Sequence, residues 1–183
     1  MSQEPDSALR RARQQWTYRG SARPSFAITP APGQESVWDY PRPPAVVPDA
    51  RRVRIGPIDD PIADSTGAVR VLETASPPTV YLPPNDVRTD LLVPTAGSST
   101  CEWKGRARYW ALAACFEVPV AWSYPEPFPE FVAITGYLAF YPARIECWID
   151  DERVRPQPSE FYGGWVTDEI VGPFKGEPGT GHW

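Results

Sequence analysis

Twenty-four of the 183 residues are proline, and their placement limits the fold more than any other feature. Proline lacks an amide proton and fixes φ, so it breaks helix interiors and is tolerated in sheets only at edges, ends and bulges. Soluble domains average about 5 % proline. Here the prolines punctuate short runs rich in Val, Ile, Thr and aromatic residues, which predicts strands over residues 52–55, 68–74, 79–82, 100–103, 106–115, 118–123, 131–141 and 144–150. Strands at that density, without helical patterns between them, imply an all-β, antiparallel two-sheet body.

The flanks differ from this body. Residues 5–16 carry the one plausible helix, with Pro5 in its first turn and Leu9, Ala12 and Trp16 along one stripe. Asn85 is a candidate cap for a helical turn or two near the middle of the chain. Residues 156–183 hold six glycines and four prolines among Phe161, Tyr162, Trp165, Phe174 and Trp183, too irregular for a regular element and too aromatic for a disordered tail. The expected organisation is an N-terminal arm with one short helix over 1–35, a β domain over 36–155, and a C-terminal arm over 156–183 that wraps the body and buries its rings.

Charge and cysteine usage narrow the function classes. A net charge of -5 from mixed signs leaves no basic footprint for nucleic acid or an anionic membrane, and neither partner is expected. Three separated cysteines (Cys101, Cys115, Cys147) and a single histidine make neither a disulfide framework nor a metal clip, so no metal and no cofactor are expected. The polar N-terminus lacks the apolar stretch of a secretory signal, and no run approaches twenty apolar residues. The expectation is a cytoplasmic protein, with its oligomeric state left open.

Sixteen of the eighteen basic residues are arginine. The two lysines, Lys104 and Lys175, each precede a glycine in an aromatic-rich stretch. An ammonium changes its pKa on burial where a guanidinium stays charged, so lysine kept amid an arginine habit is a candidate for chemistry; two tight turns in an arginine-rich chain are the plainer alternative. Gly172-Pro173-Phe174-Lys175-Gly176 lacks the Gly-Lys-Ser/Thr ending of a phosphate loop and reads as a lid or latch. His182, beside the terminus, reads as exposed and idle.

Trp38-Asp39-Tyr40-Pro41-Arg42-Pro43 and Trp122-Ser123-Tyr124-Pro125-Glu126-Pro127 share four of six positions. In an extended chain the Trp and Tyr of each copy project to one face, and the following proline ends the ladder. Two such ends could wall one cleft, or each could seal a piece of core. Along residues 106–114 the bulky Arg106, Arg108, Trp110 and Leu112 alternate with the smaller face of Ala107, Tyr109, Ala111 and Ala113, leaving room for rings or a ligand over that second face.

At these residues the chain resembles the family of domains of unknown function numbered 427. The stretches that carry the resemblance are Ala63-Asp64-Ser65, Val71-Leu72-Glu73-Thr74, Tyr81-Leu82-Pro83-Pro84 with Asp86-Val87, Cys101-x-x-Lys104-Gly105-x-Ala107-x-Tyr109-Trp110, Ala121-Trp122-Ser123-Tyr124-Pro125 and Phe140-Tyr141. The resemblance implies a compact all-β domain with a tent-like pair of sheets. A nucleotidyltransferase-like label is sometimes attached to the family. That chemistry requires a Gly-Ser turn closely followed by paired acids for Mg²⁺, and Gly97-Ser98 meets no such pair before Asp150 and Glu152.

The candidate site is therefore an aromatic-lined pocket for a small organic ligand, planar, cationic or acidic, with Trp38, Tyr40, Lys104, Tyr109, Trp110, Trp122 and Tyr124 as its binding residues. An enzyme would use the same pocket, with Lys104 or Tyr109 against Glu73 or Asp64 as acid and base; a depressed Lys104 pKa would favour it. Asp59, Asp60 and Asp64 could form a loose hard-cation site or a solvated turn. Cys101 is either a small buried residue or, beside a cationic rim, the most reactive of the three thiols. A purely structural or interaction module, with all aromatics in the core, is the third reading.

Overall fold

A computed structural model describes residues 4–183; the first three residues of the N-terminal arm lie outside the described part. The chain opens with α1 (Ser7–Gln14), capped by Asp6, whose carboxylate accepts from the amides of Ala8 and Leu9 at 2.9 Å. There follow β1 (Glu35–Ser36), β2 (Ala45–Asp49), β3 (Val53–Ile55), β4 (Ala63–Ser65), β5 (Ala68–Glu73), β6 (Ser76–Leu82), β7 (Leu92–Cys101), β8 (Gly105–Leu112) and β9 (Cys115–Ser123). The last are β10 (Leu138–Phe140), β11 (Cys147–Ile149), β12 (Glu152–Arg153), β13 (Arg155–Pro156), β14 (Trp165–Val166) and β15 (Ile170–Val171).

A seven-stranded antiparallel sheet, ordered β2-β5-β6-β10-β9-β8-β7, faces a four-stranded one ordered β12-β11-β3-β4. Period-two alternation gives the large sheet two chemically different faces. Val80, Leu82, Leu138 and Phe140 point toward the small sheet and pack with Val53, Ile55, Cys147 and Ile149. Tyr81, Ala139 and Tyr141, each adjacent in sequence to one of those residues, belong to the aromatic cluster on the opposite face, with Trp103, Trp122 and Tyr124.

Three expected elements differ, one of them the strand expected over 100–103: it is the end of the longer Leu92–Cys101, and residues 102–103 belong to the turn that follows. Residues 131–141 are not one strand: Pro129–Ile134 form 3-10 turns, and only Leu138–Phe140 join the sheet. Pro129 at the start pre-sets φ for a helical turn, and the alternation seen in the sequence is borrowed by residues that pack without pairing. Near the middle, 3-10 turns occur at Pro84–Asp86 and Thr89–Leu91, but the first is entered from Pro83 with no side-chain cap, so Asn85 does not serve that role.

Both arms dock on the body. Arg13 of α1 donates to the main-chain oxygen of Glu102 at 2.6 Å, pairs with Glu130 at 3.0 Å and lies 5.0 Å from the Trp103 ring. In the C-terminal arm Trp165, only 1 % exposed, enters the aliphatic core and donates its indole N–H to Phe140 at 3.0 Å. Phe161 is 62 % exposed, so the arm buries some of its rings and presents others.

Candidate functional site

The hairpin joining β7 to β8 sets the site. Cys101 pairs with Gly105 and Ser98 with Arg108, so the loop is the three residues Glu102, Trp103 and Lys104. Gly105 takes φ +97°, the positive-φ position that three-residue hairpins demand. Trp103 sinks into the aromatic cluster, and Lys104 turns back over the sheet face it would otherwise have left.

That face holds a cavity of about 190 Å³, far above the roughly 10–15 Å³ needed to admit one water. Its floor is the aromatic face of the large sheet: Glu73 of β5, Tyr81 of β6, Tyr109 of β8 and Trp122 of β9, with Tyr124 just beyond. Cys101, Glu102 and Lys104 supply one wall. Trp16 from the N-terminal arm and Gln157, Phe161, Tyr162, Gly163 and Lys175 from the C-terminal arm complete the enclosure. Gly163 is required where it stands, since a Cβ there would come 2.3 Å from the Trp122 ring.

The polar groups are unevenly satisfied. Glu73 accepts from Arg42 at 3.3 Å, and Arg42 also donates to the main-chain oxygens of Tyr18 and Thr74. Glu102 accepts from the Trp16 indole at 2.9 Å. Tyr109 and Ser99 share a 2.7 Å hydrogen bond, and Trp122 donates to the Tyr81 hydroxyl at 3.3 Å. Lys104 is different. It is 8 % exposed, and among the described residues its ammonium has no hydrogen bond and no ion pair, only the Phe131 ring 5.8 Å away.

Electrostatics separate the two lysines. Burial presses Lys104 toward the neutral amine, but Cys101, Tyr81, Glu73 and Glu102 outweigh it and its pKa rises. Lys175 goes the other way: burial dominates, Arg42 adds to it, and the pKa falls to about 8 despite Glu73. Burial also pushes Tyr81 up to about 12 and Tyr124 well above its ordinary value. Cys101 is raised because burial outweighs the neighbouring Lys104, so the expectation of a lowered, reactive thiol is reversed.

Lys104, Tyr109, Trp122, Tyr124, Glu73 and Cys101 thus meet at one cavity. Four candidates do not. Trp110 lies on the opposite face of β8 from Tyr109, donating to Ser123 at 2.9 Å and packing on the aliphatic core, as adjacent strand residues must. Trp38 and Tyr40 sit in a separate cluster with Val37 and Ile170; Ser36 accepts from the Trp38 amide and a 3-10 turn over Val37–Asp39 replaces the extended chain that the Trp-x-Tyr-Pro echo implied. Asp64 is on β4 of the small sheet, paired with Arg52 at 2.8 Å. Asp60 pairs with Arg88, and no cluster of three or more metal-ligating side chains occurs among the described residues. His182 is exposed. Asp150 and Glu152 flank the β11–β12 turn of the small sheet, whereas Gly97 and Ser98 are on β7 of the large one.

Sequence reasoning passed over Tyr81, Glu102 as a partner of Trp16, and Lys175 as a wall of this cavity. Tyr81 carried a signal, a period-two partner to Thr79 in an apolar run. Lys175 carried one too, as the second exception to the arginine habit. The contribution of Trp16 had none, because its docking depends on Arg13 reaching the hairpin.

No described helix is long and apolar enough to cross a membrane. No curated protein matches the chain closely enough to serve as a relative. A family model described as a domain of unknown function (DUF427) matches residues 45–151, more than half of the chain, and covers the seven-stranded sheet and three strands of the four-stranded one while leaving β12, Trp16 and the C-terminal wall of the cavity outside. The stretches on which the resemblance rests supply the cavity floor, and the chain belongs to the DUF427 family.

Proposed function

We propose that this protein binds a small organic acid in the cavity, with aromatic side chains against the body of the ligand and Lys104 on its acidic group. The observation that carries this reading is Lys104, a residue 8 % exposed whose ammonium has no ion pair or hydrogen bond among the described residues. The three N–H donors of that ammonium are unmet, and an anionic ligand would supply charge-assisted hydrogen bonds there. Glu73 and Glu102 already hold donors, so a cationic ligand finds less to meet. Tyr81, Trp122 and Tyr124 offer ring faces for a planar body.

The acid/base alternative is weakened on two counts. Asp64 lies on the other sheet, and Lys104 has a raised rather than depressed pKa. The test is mass spectrometry of molecules released from the purified protein, followed by a thermal-shift screen of organic acids against wild type and Lys104→Met. A true ligand at a hundred times its Kd stabilises by about 2.7 kcal/mol. The expected result is a recurrent acidic species whose stabilisation is lost in Lys104→Met; stabilisation that survives the substitution, or no acid that stabilises, would sink the reading.

A further inference from the structure

The cavity holds a second polar group without a partner. Tyr124 is 5 % exposed, and its hydroxyl makes no hydrogen bond among the described residues. The neighbouring phenols are engaged: Tyr81 accepts from Trp122, Tyr109 shares a hydrogen bond with Ser99, and Tyr141 is bonded to Tyr109. The Tyr124 ring is held in place, 6.4 Å from that of Tyr81, and its carbonyl accepts from the Gly136 amide at 3.0 Å. The chain that follows Tyr124 reaches Lys104 directly: the Phe128 amide donates to the Lys104 carbonyl at 3.2 Å, and the Phe131 ring lies 5.8 Å from its ammonium. The two unsatisfied donors thus come from adjoining segments and line one cavity.

The charges around the cavity leave one positive charge in excess. Lys104, Lys175, Glu73 and Glu102 line it, and Arg42 lies against both Glu73 and the Trp16 ring. Three cations face two carboxylates. Cys101 adds no charge, since burial raises its pKa and keeps it a thiol, and burial likewise keeps the Tyr124 phenol protonated, so its hydroxyl is a donor. Lys175 is already occupied by the Trp16 ring, with its Nζ 3.5 Å from the centroid, and by the main-chain oxygen of Trp183 at 3.2 Å. The volume of about 190 Å³ falls below the roughly 300–1,000 Å³ of pockets that take drug-sized ligands, which leaves room for about one ring.

Resting on the acid-binding reading above, we propose that the ligand is a single-ring monocarboxylic acid, with one carboxylate oxygen on the Lys104 ammonium and the other on the Tyr124 hydroxyl. Both hydrogen bonds are charge-assisted, and the fixed phenol supplies the direction that a flexible ammonium lacks. A phosphate monoester carries about -1.5 to -2 near neutral pH, and a dicarboxylate carries two charges. Either would set surplus negative charge beside Glu73 and Glu102. Tyr124 is in this arrangement a specificity residue, distinct from Lys104, which supplies the attraction common to all acids.

Isothermal titration of the full-length protein with benzoate, phenyl phosphate and terephthalate, three acids built on one ring, tests the proposal. Benzoate should bind at least about tenfold more tightly than either of the others. Tyr124→Phe keeps the ring and removes a hydroxyl that holds nothing in the fold, so the melting temperature without ligand should not change, while benzoate should bind about tenfold more weakly, the scale of one hydrogen bond to a charged group. Lys104→Met should abolish binding of benzoate. If phenyl phosphate or terephthalate binds wild type as tightly as benzoate and loses its affinity in Lys104→Met, acid binding stands and the monocarboxylate falls, a result that does not depend on how Tyr124→Phe folds. Benzoate held equally by wild type and Tyr124→Phe would overturn the role of Tyr124 and leave that of Lys104 intact. If no acid of the three binds, or binding survives Lys104→Met, both readings fall.

Discussion

On one face of the seven-stranded sheet the side chains are aliphatic and meet a second sheet; on the other they are aromatic and meet two arms with little regular structure. The same strands serve both, with Val80 and Leu82 on either side of Tyr81, and Leu138 and Phe140 on either side of Ala139. Branched aliphatic chains from two sheets interdigitate and leave few voids. Rigid rings with polar tips, covered by loops that pass between them, enclose space instead. The closed face therefore carries most of the stability, and the open face carries the groups whose arrangement a fold alone does not need.

The largest effect that would break this contrast is in the closed face. Trp165→Ala removes a ring that is 1 % exposed, together with its hydrogen bond to Phe140, and should cost about 3–5 kcal/mol. Urea denaturation followed by circular dichroism measures it. A loss below about 1 kcal/mol would mean that the C-terminal arm is not part of the main core. Next comes the seam between arm and open face. Gly163→Ala sets a Cβ 2.3 Å from the Trp122 ring, and overpacking of that kind costs about 1–3 kcal/mol. The arm should then become more sensitive to limited proteolysis, while equal protease resistance in both proteins would show that Trp122 yields without releasing the arm.

How far the sequence disclosed this contrast depends on range. Strands β5, β6, β8 and β9 and the opposed faces of β8 were legible because alternation is local, and Tyr109 was placed correctly on the smaller face, whereas β2 and most of β7, interrupted by Pro48, Pro94 and Gly97, were not. The same rule places Trp110 with the aliphatic core, so an aromatic residue next to the site in sequence is across the sheet from it in space. The Trp-x-Tyr-Pro echo misled because matching residues at one spacing take their geometry from their neighbours: Ser36 turns one copy into a 3-10 turn, whereas the strand ladder extends the other. Lys104 was legible as an exception to the arginine habit. Its meeting with Lys175 and Trp16 was not, since it depends on where two arms dock, through Arg13 to Glu102 and through Trp165 into the core, and neither contact leaves a local pattern.

A smaller effect sharpens the comparison between the two lysines. The folded pKa of Lys175, about 8, lies below the ~10.4 of an unfolded lysine. Between those values the unfolded chain binds more protons, so stability rises with pH across the window; below it both states are protonated and the full penalty of the buried ammonium is present. Lys175→Met has no such slope. The difference in unfolding free energy between wild type and variant should therefore shift by about 1 kcal/mol in favour of wild type from pH 8 to 10, after allowance for screening. Tyr40 and Tyr81, both held above their ordinary values by burial, titrate alike in the two proteins and cancel. A flat difference curve would place Lys175 with the ordinary surface lysines.

The smallest expected change is the most telling for the open face. Lys104 is buried, yet its ammonium makes no hydrogen bond and no ion pair within the described residues, so removing that group takes little from the fold. Lys104→Met keeps the length and apolar stem of the side chain and vacates only the charged tip, and swaps that conserve volume are tolerated best. Its charges to Glu73 and Glu102 act at a distance across a cavity rather than in contact. The unfolding free energy should stay within about 1 kcal/mol of wild type, a change of no more than a few degrees in Tm for a chain of this length. The equivalent loss on the closed face, one buried side chain changed at one position, is several times larger. If Lys104→Met instead costs as much as Trp165→Ala, the ammonium is a structural anchor, the two faces do not divide stability from binding, and an acid-recognition role for Lys104 loses its main support.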